Sequence, residues 1–266
     1  MRKLFAILCS GVAISATPAL AQAGSDTKDS NALGEIVVTA QKRETKLEKT
    51  PMTINVVSGD QIASMGAIEI KNLAASVPGL SMDESPGGFS GVTVRGIGTS
   101  AGSQVFEQSV GLFVDGVYHP RARQYRDALF DVARVEVVKG SQGVLFGKNT
   151  SVGAVSIISR GPGDRTGGYV QGQVEANYGS YGLEGALDVV PSDTFKVRIA
   201  GMYDNQEGFV HNVTKNRDEP SGDRYVIRGI AEWNPVAGVS VRAKSQFSRL
   251  NMIGNNFEFI ANQNVA

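Results

Sequence analysis

The sequence predicts an α+β domain followed by antiparallel strands that are patterned like the first strands of a transmembrane β-barrel, and three observations lead to this fold class. Between residues 50 and 165, short β-branched runs alternate with glycine turns and with segments of helical apolar spacing. After residue 165, apolar and polar residues alternate over about ten positions at a time, the length of a tilted membrane strand. Beyond residue 23 no apolar run approaches the roughly 18 residues of a spanning helix, so any membrane-embedded part is expected to consist of strands.

Residues 1–23 have the pattern of a secretory signal peptide. Two basic residues precede an apolar core, and both Ala19–Ala21 and Ala21–Ala23 fit a small-residue cleavage site. Cys9 is the only cysteine and lies within this segment, so we predict a mature chain without disulfide or thiol chemistry. A lipoprotein signal is disfavoured because Leu8, and not a small residue, precedes Cys9.

The net charge excludes one class of partner. The chain has 26 basic and 26 acidic residues, and removal of Arg2 and Lys3 with the signal leaves 24 basic residues and a net charge of −2. A protein that binds the phosphate backbone of nucleic acid usually carries a basic excess. We therefore expect no nucleic-acid partner.

Residues 24–49 form a polar leader that is too poor in apolar side chains to pack, and we expect most of it to be disordered. It contains one strand-prone hexamer. A lone segment of this kind can add as an edge strand to the sheet of another protein, where main-chain hydrogen bonds give the affinity. The alternative is a short edge strand of the chain's own domain. The hexamer consists of Glu35, Ile36, Val37, Val38, Thr39 and Ala40.

The α+β domain has recognisable elements between its glycine and proline breakers. Alternating β-branched residues predict strands, apolar residues three and four positions apart predict helices, and an Asp-Gly pair between apolar runs is typical of a hairpin turn. The elements predicted in chain order are a strand over 51–57, a helix over 61–65 capped by Asp60, a helix over 68–77, a strand ending at Arg95–Gly96 and a hairpin turning at Asp115–Gly116.

The most informative stretch runs from Val132 to Pro162. Two apolar β-branched runs flank a segment in which glycine recurs every three to six residues. Glycines at this density permit backbone angles and close approaches that a Cβ atom forbids. The stretch therefore predicts a compact, tightly turned scaffold. Its marker residues are Arg134, Glu136, Gly140, Gly143, Gly147 and Gly153.

Nearly residue for residue, this stretch resembles the end of the plug domain of TonB-dependent outer-membrane receptors, where the pattern is E-R-V-E-V-L-R-G-P-Q-G-x-L-Y-G-x-x-x-x-G-G-x-I-N-I. Ala133 stands where the family usually has Glu, and Ser141 where it usually has Pro. The segments around Arg95–Gly96 and Asp115–Gly116 are similar to two further segments of that domain. The resemblance implies an α+β plug domain over residues 50–165 that folds inside a barrel of about 22 strands.

The resemblance also implies partners. The hexamer 35–40 resembles the TonB box, the segment by which these receptors contact the energy-transducing protein TonB of the inner membrane. In the family the outward ends of the plug help to bind cargo, which here is expected to be a small-molecule chelate, above all a ferric one. Arginine and aromatic side chains suit a flat, anionic chelate, because guanidinium groups bind oxyanions and stack on rings. The alternative is that these side chains fill local gaps or remain solvated. The residues assigned to cargo contact are Phe89, Phe106, Tyr118, Arg121, Arg123 and Tyr125.

No other pattern indicates catalysis, so we expect neither an enzyme nor a resident cofactor or metal. Residues 96–101 match a dinucleotide-binding fingerprint, but the residues that follow have no helix propensity. Residues 143–149 fall one residue short of a phosphate-binding loop and end in Asn. His119 and His211 lie far apart and have no metal-ligand spacing.

About five alternating strands are predicted in residues 168–266. Each places apolar residues on one face and polar residues on the other, as strands between lipid and a wet lumen do. A strand of a soluble sandwich shows the same alternation, and only the resemblance to the plug domain separates the two. Short connections near 191–193 and 234–238 flank a long one over 205–223, as periplasmic turns and extracellular loops do.

These features together predict a receptor in the outer membrane of a Gram-negative bacterium. We expect it to import a scarce nutrient, most directly a ferric siderophore, as a monomer in contact with outer-membrane lipid. Because five strands cannot close a barrel of about 22, we expect the chain to be the N-terminal portion of such a receptor. The alternatives are a receptor for another bulky nutrient, such as a corrinoid, a glycan or an aromatic compound, and a periplasmic interaction protein that consists of the plug alone.

Overall fold

The computed structural model describes residues 52–85, 89–101 and 107–254, together with the backbone of two short strands, β1 (Val37–Val38) and β2 (Thr45–Lys46). The predicted signal peptide and most of the leader lie outside the described residues. Residues 52–165 are called the plug below.

The described residues of the plug form eight strands, and β-branched residues recur in them because such side chains pack well on a pleated surface. In chain order these are β3 (Thr53–Ser58), β4 (Leu80–Ser85), β5 (Phe89–Val94), β6 (Ile97–Gly98), β7 (Val110–Val114), β8 (Val117–His119), β9 (Val132–Lys139) and β10 (Gly153–Ser159).

The plug strands form a central sheet and a smaller one. The central sheet has the order β3-β9-β10-β7-β8, and its β10–β7 pair is parallel while the other pairs are antiparallel. Strand β3 therefore lies at one edge. The smaller sheet has the order β4-β5-β6. The strands predicted over 51–57 and on both sides of Asp115–Gly116 are present within one or two residues.

Three short helices, α1 (Gly59–Ser64), α2 (Ile70–Ala74) and α3 (Gly143–Phe146), join these strands. The predicted cap of the first helix is wrong. Ser58 caps α1, since its Oγ accepts the Gln61 N–H at 3.2 Å while the Gln61 side chain accepts the Ser58 N–H at 3.0 Å. Asp60 lies in the first turn instead. The second helix covers only the middle of the predicted span 68–77.

The apolar positions of α2 explain where the core of the plug lies. Ile70 and Leu73, three residues apart, are completely buried and belong to one cluster with Val135 of β9 and Val155 of β10. The helices are short, and none in the described part of the chain is long and apolar enough to cross a membrane.

Longer strands follow the plug, with a small hairpin between the third and fourth of them. In chain order they are β11 (Gly167–Val174), β12 (Tyr181–Ser192), β13 (Phe195–Gln206), β14 (Val210–Asn212), β15 (Arg217–Glu219), β16 (Ser221–Val236) and β17 (Val239–Ile253).

A single antiparallel sheet of order β11-β12-β13-β16-β17, called the wall below, contains the five long strands. This confirms the predicted fold class. The two faces of the wall differ as the alternation predicted. Large apolar side chains are exposed on one face, whereas basic side chains of the other face are buried against the plug. Examples are Val170, Leu183, Leu187, Ile199, Ile227 and Phe247 on the exposed face, and Arg198, Arg224 and Arg228 on the plug face.

Candidate functional site

The first candidate site is the hexamer 35–40. Strand β1 pairs antiparallel with β2, so that Val37 lies opposite Lys46 and Val38 opposite Thr45. The described part of the hexamer is thus extended and β-paired, which is the conformation that strand addition requires. The other four members, Glu35, Ile36, Thr39 and Ala40, lie outside the described residues.

The predicted cargo residues fall into separate groups. Phe89 and Arg123 come together, with the guanidinium carbon of Arg123 at 5.5 Å from the centre of the Phe89 ring. We call these two residues the apex pair. Arg121 is exposed two residues before Arg123. Tyr118 belongs to a different cluster, because its ring packs at 5.5 Å from that of Phe113. Phe106 lies outside the described residues.

The assignment of Tyr125 to cargo contact is wrong. A 3₁₀ turn over Ala122–Arg126 points this side chain inward, where it is fully buried in the core cluster. The Tyr125 hydroxyl donates a hydrogen bond to the Val110 carbonyl oxygen. Burial raises the pKa of this phenol above its ordinary value, so the hydroxyl remains a donor at neutral pH.

Tyr125→Phe is therefore expected to affect stability and not cargo affinity. Loss of the hydroxyl leaves the buried Val110 carbonyl without this donor, which should cost about 1–2 kcal/mol of unfolding free energy. Urea unfolding and titration of the cargo, on the same preparation, measure the two effects. A weakened cargo affinity with unchanged stability would show instead that Tyr125 contacts the cargo.

Two tight turns carry marker residues of the plug. Arg95 and Gly96 join β5 to β6 with φ values of 55° and 77°, and Asp115 and Gly116 join β7 to β8 with φ values of 48° and 81°. Two consecutive left-handed residues are typical of type I′ hairpin turns, which favour Asp and Gly. The second turn is the one that the sequence predicted.

The glycines of the stretch after β9 have different explanations. Gly153 is required by a close approach, since a Cβ atom there would lie 2.5 Å from the Val138 carbonyl oxygen. Gly140 and Gly147 have left-handed φ values of 95° and 82°. Nothing in the structure explains Gly143, which has open space around it.

A buried ion pair fixes the start of the same stretch. The Nε atom of Arg134 donates to the Glu136 carboxylate at 2.8 Å, and Glu136 is completely buried in β9. A buried carboxylate needs partners for its negative charge, and Arg134, two residues earlier in the same strand, supplies one.

Contacts between the plug and the wall are the feature that sequence analysis missed. Among the described residues, three wall cations pair with plug carboxylates that lie far from them in the chain, which gives the interface complementary charge, and Lys196 of β13 pairs with the nearby Asp164. Each of the three long-range pairs joins residues more than 60 positions apart in the chain, so local patterns contain no signal for it. The pairs are Glu69–Arg224, Asp115–Lys244 and Asp131–Arg198.

Asp115 shows how the turn residue gains a second role. Its carboxylate accepts the Ser159 backbone N–H at 2.8 Å and pairs with Lys244 of β17. Burial opposes its ionisation, but these hydrogen bonds outweigh burial and hold the pKa of Asp115 below its ordinary value. Asp115 therefore remains charged at neutral pH, and it ties the hairpin of the plug to the wall.

Asp127 has the opposite shift. Burial raises the pKa of Asp127 to about 6, opposed by the charge of Arg224 and reinforced by that of Glu69. In the unfolded chain an Asp titrates near 3.9. The folded protein thus binds the Asp127 proton more tightly, so the stability due to this group is largest below about pH 4 and declines as the pH rises to about 6.

Asp127→Asn is expected to remove this pH dependence. The variant should gain about 1–2 kcal/mol of unfolding free energy at pH 8, after a discount for partial solvation, and should change little at pH 4. Urea unfolding at both pH values measures the difference. Asp83→Asn, at an exposed carboxylate, is the matched control for the loss of a charge. An equal gain at both pH values would mean that titration of Asp127 is not the cause.

No set of three or more His, Cys, Asp or Glu side chains in the described ranges is arranged to hold a metal ion.

In this structure an α+β domain lies against the polar face of a strand wall whose opposite face is apolar. The family model described as "TonB-dependent Receptor Plug Domain" matches residues 46–154. Residues 46–154 are therefore a plug domain of the TonB-dependent receptors, which are proteins of the outer membrane of Gram-negative bacteria.

Two curated relatives and one solved structure illustrate the similarity. The pesticin receptor of Yersinia pestis is 30% identical over 178 residues, which are 66% of this chain and 25% of the relative. The ferrioxamine B receptor of Salmonella typhimurium is 25% identical over 178 residues, again 25% of its length. The chain thus spans about a quarter of the curated relatives that it matches.

The solved structure shows likeness of fold. The ferric yersiniabactin uptake receptor FyuA from Yersinia pestis superimposes with a TM-score of 0.67 and 24% identity, over 76% of this chain and 32% of FyuA. All three of these proteins are named as receptors.

Proposed function

We propose that this chain acts in the TonB-dependent uptake of a scarce nutrient, most directly a ferric siderophore. The observation that carries the proposal is the seating of the plug against the basic face of the wall, with a β-paired strand in the leader before it. Relatives named for pesticin and ferrioxamine B support the nutrient class.

In this proposal, different parts of the chain bind the cargo and TonB. The apex pair and Arg121 contact an anionic chelate, because an arginine on a ring offers both an ion pair and a stacking surface. The hexamer 35–40 adds as a strand to TonB, which pulls on the leader. The pull reaches β3 first, since this edge strand is the described plug element next to the leader.

The remaining properties belong to the same proposal. The receptor works as a monomer, its exposed apolar wall face contacts outer-membrane lipid, and it is not an enzyme, because the transport step is driven by force and needs no bond to be broken in the receptor. Residues 1–23 act as the export signal, and residues 24–49 as the leader.

Uptake of radioactive iron tests the proposal. A strain without its own receptors, given the full-length receptor that carries this chain, should accumulate iron from a siderophore in a TonB-dependent manner. Arg123→Ala should weaken binding of that siderophore about tenfold, the effect of one lost charge-assisted contact. Arg165→Ala, at an exposed arginine away from the apex pair, is the control.

The panel of cargoes decides between nutrient classes. Hydroxamate, catecholate and phenolate siderophores should include the cargo. TonB-dependent uptake of only a corrinoid, a glycan or an aromatic compound would instead establish the alternative nutrient class, and absence of any uptake would contradict the transport proposal.

A further inference from the structure

One basic residue of the five long wall strands lies on the apolar face. These strands contain seven basic residues, and six of them face the plug. Each of the six forms an ion pair or a hydrogen bond with a plug residue. They are Lys196, Arg198, Arg224, Arg228, Arg242 and Lys244. The seventh, Arg249 of β17, is the exception.

The register of the sheet places Arg249 on the apolar face. Alternate residues of a strand share a face, and Arg249 follows the exposed Phe247 by two positions. It lies directly opposite Tyr225 of β16, which in turn lies opposite Tyr203 of β13. Arg249 therefore continues a row of tyrosines across the wall.

Aromatic side chains mark this level on the neighbouring strands. The rings of Tyr181 and Tyr203 lie 6.0 Å apart, and so do the rings of Tyr225 and Phe247. Amphipathic aromatic rings are enriched where a membrane meets water. We call these four residues the aromatic row. The face becomes polar just beyond it, where the next paired residues are Asn205, Asp223 and Asn251.

The opposite limit of the apolar face lies near Trp233 of β16, which is half exposed. Trp233 follows Tyr225 by eight positions, which is about 26 Å along a strand. A tilt of about 40° reduces this to a height of about 20 Å, close to the apolar band of about 25 Å on outer-membrane barrels. Arg249 thus lies at one edge of the membrane and not in its centre.

The connections between strands indicate which edge this is. Residues 175–180 and 207–220 connect the strands at the end that carries the aromatic row, whereas residues 193–194 and 237–238 connect them at the other end. Long connections of outer-membrane barrels face the cell exterior and short ones face the periplasm. Arg249 therefore faces the outer leaflet, which in Gram-negative bacteria consists largely of a phosphorylated glycolipid.

The contacts of Arg249 leave its charge available to an anion. Its Nε atom donates to the Asn251 side-chain oxygen at 3.1 Å, and its Nη1 atom donates to the Tyr225 hydroxyl oxygen at 3.5 Å. Both of these partners are neutral, and the Arg249 side chain is exposed. A charge next to lipid needs a counter-ion, and a guanidinium group binds phosphate through two parallel hydrogen bonds. The Tyr225 hydroxyl accepts from Arg249, so its own proton can be donated to the same anion.

Resting on the proposed contact of this face with outer-membrane lipid, we infer that Arg249 and Tyr225 bind a phosphate group of the outer-leaflet glycolipid. The guanidinium group pairs with the phosphate oxygens, and the Tyr225 hydroxyl donates a further hydrogen bond. The aromatic row contacts the acyl chains below the phosphate. This site holds the wall at a fixed height in the membrane and takes no part in cargo binding.

Titration of lipid A, the phosphorylated anchor of this glycolipid, into the purified full-length receptor in alkyl glycoside micelles tests the inference. Arg249→Gln should weaken lipid A binding about tenfold, the effect of one lost charge-assisted contact. Arg249→Lys keeps the charge and loses the paired hydrogen bonds, so its affinity should lie between the two. Tyr225→Phe should weaken binding about threefold, as expected for one neutral hydrogen bond. Arg165→Gln, at an exposed arginine before β11, is the control and should bind as the wild type does.

Two further probes identify the source of the phosphate. The wild-type receptor should bind dephosphorylated lipid A about as weakly as Arg249→Gln binds lipid A, and inorganic phosphate at the concentration of the lipid should not displace lipid A. Equal affinity of the wild type and Arg249→Gln for lipid A overturns the inference. So does an equal loss in Arg165→Gln, which would indicate unspecific charge attraction, or displacement by inorganic phosphate, which would indicate a site for the anion alone.

Iron uptake keeps this test separate from the proposed function. Arg249→Gln should import iron at the wild-type rate when the amounts of folded receptor are matched by their heat-modifiable bands on gels. A receptor that binds lipid A through Arg249 and imports no cargo would contradict transport alone. A receptor that imports iron, and whose lipid A affinity is unchanged in Arg249→Gln, would contradict the lipid site alone.

Discussion

Val37→Pro is expected to abolish energy-dependent uptake and to leave cargo binding unchanged. Proline has no backbone N–H and fixes φ near −65°, so the hexamer could no longer present a continuous row of main-chain donors to the sheet of TonB. Cargo affinity depends on the plug and wall, which this change does not touch. Iron uptake and siderophore titration on the same cells measure the two quantities, and uptake should fall to the level of a strain without TonB.

The pairing of β1 with β2 supplies a matched control for this experiment. Val37→Pro also disturbs the contact of Val37 with Lys46, so a loss of uptake could follow from damage to the leader itself. Lys46→Pro disturbs that same contact and leaves the hexamer 35–40 intact. The control should therefore retain uptake.

The two variants together decide whether the hexamer is the docking segment. Uptake that is lost in both would assign the function to the paired leader strands and not to strand addition on TonB. Uptake that persists in Val37→Pro would remove the hexamer from the mechanism. Faster uptake in Lys46→Pro would indicate that β2 competes with TonB for the edge of β1.

The wall could be predicted well from the sequence because its signal is local. Side chains of a strand alternate between its two faces, so the apolar residues of each strand identify the face that is exposed in this structure. Val170, Leu183 and Ile227 are examples. The turn at Asp115–Gly116 was equally predictable, since a type I′ turn needs left-handed backbone at two adjacent residues.

Side-chain direction in irregular backbone was less predictable. Tyr125 lies two residues from the exposed Arg123, yet the 3₁₀ turn buries it completely. In a turn with about three residues per rotation, neighbours two positions apart point in different directions, and an extended stretch would have exposed both or neither. Composition suggested a cargo site with aromatic residues, but only the backbone conformation decides which of them are accessible.

The ion pair between Asp131 of the plug and Arg198 of the wall could not have been found from the sequence at all. Asp131 and Arg198 are 67 residues apart, and each is flanked by residues that fit other roles. The polar face of the wall predicted only that Arg198 would face a wet interior. In the structure Arg198 forms a buried ion pair with Asp131 instead, because the plug excludes the water that a lumen would contain.

Arg198→Ala is therefore expected to be strongly destabilising. It leaves the Asp131 carboxylate buried without its bidentate partner and also removes the contact of Arg198 with Asp188 at 2.7 Å. Breaking one side of a buried ion pair costs about 3–5 kcal/mol. With a urea dependence of about 2 kcal/mol per molar, the unfolding midpoint of the plug should fall by about 1.5–2.5 M. Labelling of Ser156→Cys, buried in β10, reports when the plug unfolds.

A triple variant distinguishes lost charge pairing from lost packing. Asp131→Asn, Asp188→Asn and Arg198→Met together remove all three charges and keep most of the volume, and the midpoint should recover most of the loss, since a buried ion cluster is often replaceable by neutral groups. Lys148→Ala, which breaks an exposed pair with Glu107, should leave the midpoint unchanged. If the triple variant were as unstable as Arg198→Ala, the arginine would act through its packing, and the unpaired charge of Asp131 would not be the cause.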